Sequence, residues 1–153
     1  MSNFDPTAFL DATVTEALTK RPPLPAGADF VGTIGEIKAR TWQGKTDPTK
    51  GGVVMDVPIV IDLQAYPDVH RTMGVDKVTL VDGIMLDLNE AGMMDLSPGK
   101  NGKLRRYREA LGMNTAGQAF SFRAMTGRMI KVKVKHDPYE GELYDKVDSV
   151  AKA

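Results

Sequence analysis

"GRMIKVKVKHDPYEGELYDKVDSV", residues 127–150, decides how the rest of this 153-residue chain is read. Val132 and Val134 alternate with Lys131, Lys133 and Lys135, the period of two that a half-buried strand requires. "DPYEG" (137–141) supplies Pro138 and Gly141 for a turn, and "ELYDKVDSV" resumes as a second strand. The reading is a hairpin with a cationic stripe on one face and Tyr139 in its turn. Lysines of this kind protect an exposed edge from pairing with another chain. They are equally a site for a polyanion.

Working outward, "ADFVGTIGEIKARTW" (28–42) alternates as a first strand, with glycines that permit a bend or bulge. After the polar loop "QGKTDPTKGG" (43–52), "VVMDVPIVIDLQAY" (53–66) is a second strand, in which Pro58 argues for a bulge or an edge position. "VDKVTLVDGIMLDL" (75–88) is a third. "GKNGKLRRYREALGM" (99–113) carries Leu104, Tyr107 and Leu111 at helical spacing, with Gly112 near its end. "TGRMIKVKVKH" (126–136) and "ELYDKVDSV" (142–150) complete the set. The order is three strands, one helix, two strands, the connectivity of an OB-fold, a five-stranded partly open Greek-key barrel. The expected domain spans 27–153.

Ahead of it, residues 1–26 read as a short helix and a Pro-rich extension. Asp5 is a plausible N-cap and Pro6 suits the first helical position. Leu10, Val14, Ala17 and Leu18 follow helical spacing. "RPPLPAG" (21–27) then stops the helix.

Twenty basic and twenty acidic residues cancel, yet they are not evenly spread. From 100 to 136 stand Lys100, Lys103, Arg105, Arg106, Arg108, Arg123, Arg128, Lys131, Lys133 and Lys135, against Glu109 alone. From 53 to 99 eight acids face only Arg71 and Lys77. A folded chain can thus hold a positive and a negative face at zero total charge. There is no cysteine, so neither a disulfide framework nor a thiolate metal site is expected. No apolar run approaches the roughly 20 residues of a membrane span. The opening residues lack the pattern of a signal peptide, and a soluble cytoplasmic protein is expected.

Sequence-tolerant binding of single strands needs cations for phosphates and aromatic faces for bases. The basic candidates are Lys38, Arg40, Lys45, Lys50, Arg71, Lys77, Arg123, Arg128, Lys131, Lys133 and Lys135. The stacking candidates are Trp42, Tyr66, Phe122, Tyr139 and Tyr144, with Phe120 beside Phe122 and shared between core and contact. Trp42, the only tryptophan, lies between Arg40 and Lys45 at a loop mouth. The OB-fold loops that join strands one to two and four to five would be "QGKTDPTKGG" and "HDPYEG".

Enzyme chemistry finds little support. "GKNGK" lacks the first glycine of a phosphate-binding loop, and Leu104 follows its lysine. "EIK" (36–38) has no acid on a preceding strand to make a nuclease metal site. His70 and His136 have no ligand spacing, and no serine or threonine has an evident base partner. No catalytic residue, cofactor or metal is assigned. The competing class is a non-enzymatic assembly or interaction protein on the same small β-scaffold.

"LDLNEAGMMDLSPGKNGKLRRYREALGMN" (86–114) and "FSFRAMTGRMIKVKVKHDPYEGELYDKVDSV" (120–150) together resemble bacteriophage single-stranded-DNA-binding proteins. "FDPTAFLD" (4–11) and "LPAGADFVGTIGEI" (24–37) are similar to the same group. The resemblance runs from Phe4 to Val150. It implies an OB-type barrel that binds single-stranded DNA, with RNA as the other strand to consider, during phage replication or recombination in a host cytoplasm. It also implies self-association and replication proteins of phage or host as candidate partners. The ending, "DSVAKA", departs from bacterial relatives in that class, which carry an acidic hydrophobic tail for partner recruitment.

Overall fold

The period-two stretches fold as an antiparallel sheet, in a computed structural model that describes residues 4–153. Its elements are β1 (Asp29–Ile34), β2 (Lys38–Gln43), β3 (Gly51–Asp62), α1 (Pro67–Met73), β4 (Lys77–Met85), α2 (Gly102–Ala110), β5 (Met129–Tyr139) and β6 (Glu142–Lys152). β3 pairs with β4 along one edge. Along its other edge it pairs first with β2 and then, through Ile59 and Val60, with β1. β1 also pairs with β5, and β5 with β6.

The six strands are one more than expected, and the reason is a bulge. Ile34 lies opposite Ile59, the Gly35 N–H donates to the Pro58 carbonyl, and Lys38 lies opposite Asp56. Glu36 and Ile37 therefore face Val57 alone, an extra residue that bends the strand and splits it into β1 and β2. In a strand the N and carbonyl of one residue point to the same side, so the N–H that Pro58 lacks would have faced this bulge. Proline is thereby accommodated inside a strand paired on both edges.

Two further expectations are corrected. The sheet is open, not a closed barrel: among the described residues no ladder joins β4 to β6. α2 packs against both strands there. Its Tyr107 hydroxyl donates to Asp82 at 2.5 Å, while the Lys103 ammonium reaches the other Asp82 oxygen at 2.7 Å and the Gly83 carbonyl at 2.9 Å. Burial and the adjacent Asp82 carboxylate push the Tyr107 hydroxyl far above its ordinary range, so it stays a donor. The N-terminal helix is the second correction. Only Pro6–Leu10 forms a 3-10 turn, capped by Asp5, and residues 4–20 are exposed throughout. "TVT" at 13–15 is β-branched and disfavours a helix, and so short a helix with no packed face is marginal in water. Residues 1–3 lie outside the described residues.

α2 forms where expected, with Leu104, Tyr107 and Leu111 buried. β4 is trimmed to Lys77–Met85, and α1 is an addition that begins on Pro67 and ends at left-handed Gly74. The hairpin turn is tighter than expected. Glu140 and Gly141 both have positive φ, the mark of a two-residue type I′ turn, so Tyr139 is the last residue of β5 and not a loop residue.

The Pro-rich segment is part of the body. Leu24 is completely buried, and its carbonyl accepts from His136 at 2.6 Å. Burying a leucine contributes about 1.5–3 kcal/mol. Asp145 on β6 accepts two bonds from Arg21, at 2.7 and 3.0 Å, and one from the Leu24 N–H. Burial pushes the Asp145 carboxyl up, but the Arg21 and Leu24 donors outweigh it and hold the group below its ordinary value. The stabilisation is therefore complete above the unfolded value of about 3.9 and is lost as pH falls through the lower folded value. D145N should cost about 1–3 kcal/mol at pH 7, the worth of hydrogen bonds to a charged group. In urea unfolding the gap from the parent should narrow at pH 2.5; a gap of equal size at both pH values would mean the charge is irrelevant.

Candidate functional site

Alternation places Ile130, Val132 and Val134 in the core and turns Lys131, Lys133 and Lys135 to the outer face of β5. Their neighbours in register are Val31 and Asp29 on β1 and Ala151, Ser149 and Lys146 on β6. None of the three lysines makes an ion pair among the described residues. Lys146 does, bonding Asp137 at 2.8 Å, and this contact first, with Lys135 adding to it, holds the Asp137 carboxyl below its ordinary range. Beyond Lys135 the same face carries Tyr139 and Tyr144, edge to face with centroids 6.4 Å apart. Lys20 lies 4.4 Å over the Tyr144 ring. Tyr139 is 65% exposed, so its ring is available to a ligand.

A second cluster occupies the outer face of β2 and β3. Lys38, Arg40 and Trp42 alternate along β2 opposite Asp56, Val54 and Gly52. Arg40 pairs with Asp56 at 2.6 Å. The half-buried indole rests on Gly52: a Cβ there would stand 2.8 Å from Nε1 and 3.4 Å from Cε2. Gly83, Val81 and Met85 continue this face on β4, the last two exposed. Lys45 and Lys50 flank it in a β2–β3 loop closed by the Gly44 N–H donating to the Lys50 carbonyl.

The two clusters lie on non-adjacent strands, with β3 and β1 between β2 and β5 in the sheet order. Asp29, beside Lys133, precedes Trp42 by thirteen residues, at most about 43 Å of strand. Tyr139 lies six residues beyond Lys133 in the opposite direction.

The remaining candidates stand elsewhere. Tyr66 packs edge to face on Phe30, and its hydroxyl accepts from the Val31 N–H at 2.8 Å, so the ring is a strut under β1. Arg71 is on α1, 3.4 Å from Asp68. Lys77 opens β4 opposite Asp62. Phe122 and Arg123 line a cleft of about 500 Å³ with Ile37, Ala39 and Met55, on the other face of β2 from Trp42. Phe120 packs on Phe122 and under the Arg108 guanidinium, and Arg128 donates to the Leu111 carbonyl.

Sequence reasoning missed the glycine floor, Lys20 and Lys146. "KGG" at 50–52 was a signal for the first, read only as the end of a polar loop. The other two depend on register and on a segment folded back over the hairpin. His70 bonds Asp76 at 2.8 Å, and no cluster of three metal-ligating side chains occurs among the described residues. No described helix is long and apolar enough to cross a membrane. No protein-family model matches the chain, and no curated protein matches it in sequence.

The indole's seat can be tested by itself. G52A places a methyl 2.8 Å from Nε1, closer than van der Waals contact allows, so the indole must lift toward solvent. Trp42 emission should shift to the red with little loss of thermal stability. An unchanged emission maximum would mean that the indole does not rest on Gly52.

Proposed function

We propose that this protein binds single-stranded DNA with little regard for sequence, on the outer face of its sheet. Lys131, Lys133 and Lys135 meet phosphates, while Tyr139, Tyr144 and Trp42 offer faces to bases. The observation that carries the reading is the lysine row, none of whose members forms an ion pair among the described residues although Asp29 and Asp137 stand near it, continuing into an exposed tyrosine pair. A polyanion releases counterions when such a row neutralises it, and stacking on exposed rings is tolerant of base identity. Lys38, Arg40, Lys45 and Lys50 extend the cationic path at the Trp42 end.

The chain order also supports an OB-type fold. If β1 and β2 are counted as one bent strand, a three-strand meander is followed by α2 and a hairpin, and the bent strand pairs with both β3 and β5. Work on phage DNA in a host cytoplasm, alongside replication proteins, belongs to this proposal through the sequence resemblance.

A second reading, as an interaction protein, has one observation in its favour. Phe9, Leu10, Val14 and Leu18 are 67 to 100% exposed on an arm whose apolar side chains no described residue covers. Such a patch fits a partner or a second copy. Deleting residues 4–18, which leaves Lys20 over Tyr144 in place, separates the readings: strand affinity survives if the arm serves association alone.

The direct test is the salt dependence of oligonucleotide binding. Replacing Lys131, Lys133 and Lys135 by alanine should flatten the slope of log K against log salt by about 2, since each single-strand phosphate contact contributes about 0.7. The melting temperature should barely move, because these side chains point away from the core. An unchanged slope would leave the stripe as edge protection only.

A further inference from the structure

We propose that the seam between α2 and β6 is a seat for a phosphate group, adjoining the outer face of the sheet, with which it shares Lys135. Because β4 and β6 do not pair, a cleft of about 310 Å³ remains between them beside α2. Lys103, Arg106, Lys135, Asp82, Asp148 and Ser149 are its charged and hydroxyl-bearing lining, with Tyr107 at its wall. Three cations stand against two carboxylates, a balance of plus one.

That balance is unevenly placed. Asp82 is spent on Lys103 and Tyr107, so this carboxylate and the Lys103 ammonium cancel inside the wall. Arg106 and Lys135 have no ion-pair partner among the described residues, and they reach the cleft from different elements, α2 and β5. Asp148 is the opposing group. It is the exposed residue skipped where Lys133 faces Ser149 and Val134 faces Val147, so the bulge sets it out of the ladder. A guanidinium fork matches two phosphate oxygens, an ammonium adds a point charge, and the Ser149 hydroxyl supplies a neutral donor. Phosphate chemistry satisfies all three at once.

The seat does not require that the outer face bind DNA; Lys135 belongs to both, but Arg106 lies outside the lysine row, so a test through Arg106 lets the two ideas fail separately. The probe is inorganic pyrophosphate, titrated calorimetrically into the full chain at low, fixed salt, with amide shifts followed over residues 147–150. R106Q should weaken binding about tenfold, the worth of one charge-assisted hydrogen bond. D148N should tighten it. R105Q removes the same charge from an exposed position of α2 outside the cleft and should leave affinity unchanged. Equal melting temperatures for R105Q, R106Q and the parent establish that folding is intact. A thymidine oligonucleotide then distinguishes the source: if R106Q also weakens it, the seat takes a phosphodiester of the strand, and if only pyrophosphate suffers, it takes a free phosphate. No pyrophosphate binding by the parent, or equal weakening by R105Q and R106Q, would overturn the proposal.

Discussion

Among the described residues, β1 is the one strand that joins the two parts of the sheet by backbone ladders. It pairs with β3 on one edge and β5 on the other, and among the described residues no other ladder joins β2, β3 and β4 to the hairpin of β5 and β6. At its centre Gly32 is buried, and a Cβ there would stand 2.5 Å from Ile59 Cγ2 and 3.0 Å from the Val60 carbonyl oxygen. The core of β3 thus occupies the space that a side chain on β1 would need. Phe30 and Ile34, on the same side of β1, fill the volume around it, and Tyr66 braces Phe30 from beneath. With close packing, even one methyl group here is felt.

From that crossing the rest of the arrangement follows. The bulge at Glu36 and Ile37 lets the strand leave β5 and continue as β2 along β3 alone, which carries Trp42 away from the body toward the loop. The hairpin is held on the other side, and its lysines must face outward because Ile130, Val132 and Val134 are committed to the core. α2 closes what the strands leave open, with Asp82 as the buried acceptor for Tyr107 and Lys103. The seam cleft is what that closure leaves unfilled.

Much of this was legible in the sequence where the signal was local and strong. The Val–Lys alternation gave the hairpin and its faces, and Leu104, Tyr107 and Leu111 gave the buried stripe of α2. The bulge was foreshadowed by Gly35 and Pro58 but not its place, since a one-residue register change is visible only when both strands are aligned. The N-terminal helix failed because spacing alone does not stabilise a helix without a surface to bury it. α1 was overlooked although Pro67 and Gly74 mark its ends. Tyr66 could not be read as a strut, because its partners Phe30 and Val31 lie 36 and 35 residues earlier. Lys146 went unremarked because its pairing with Asp137 needs the hairpin register.

The central claim is that the outer face receives a single strand, with Trp42 taking part. Titrating poly(dT) while recording the fluorescence of this sole tryptophan is the most direct measurement. The account predicts saturable quenching at low salt that added salt reverses, with double-stranded DNA giving little change because paired bases cannot offer their faces. Emission that stays constant at low salt, with no complex by sedimentation under the same conditions, would contradict it.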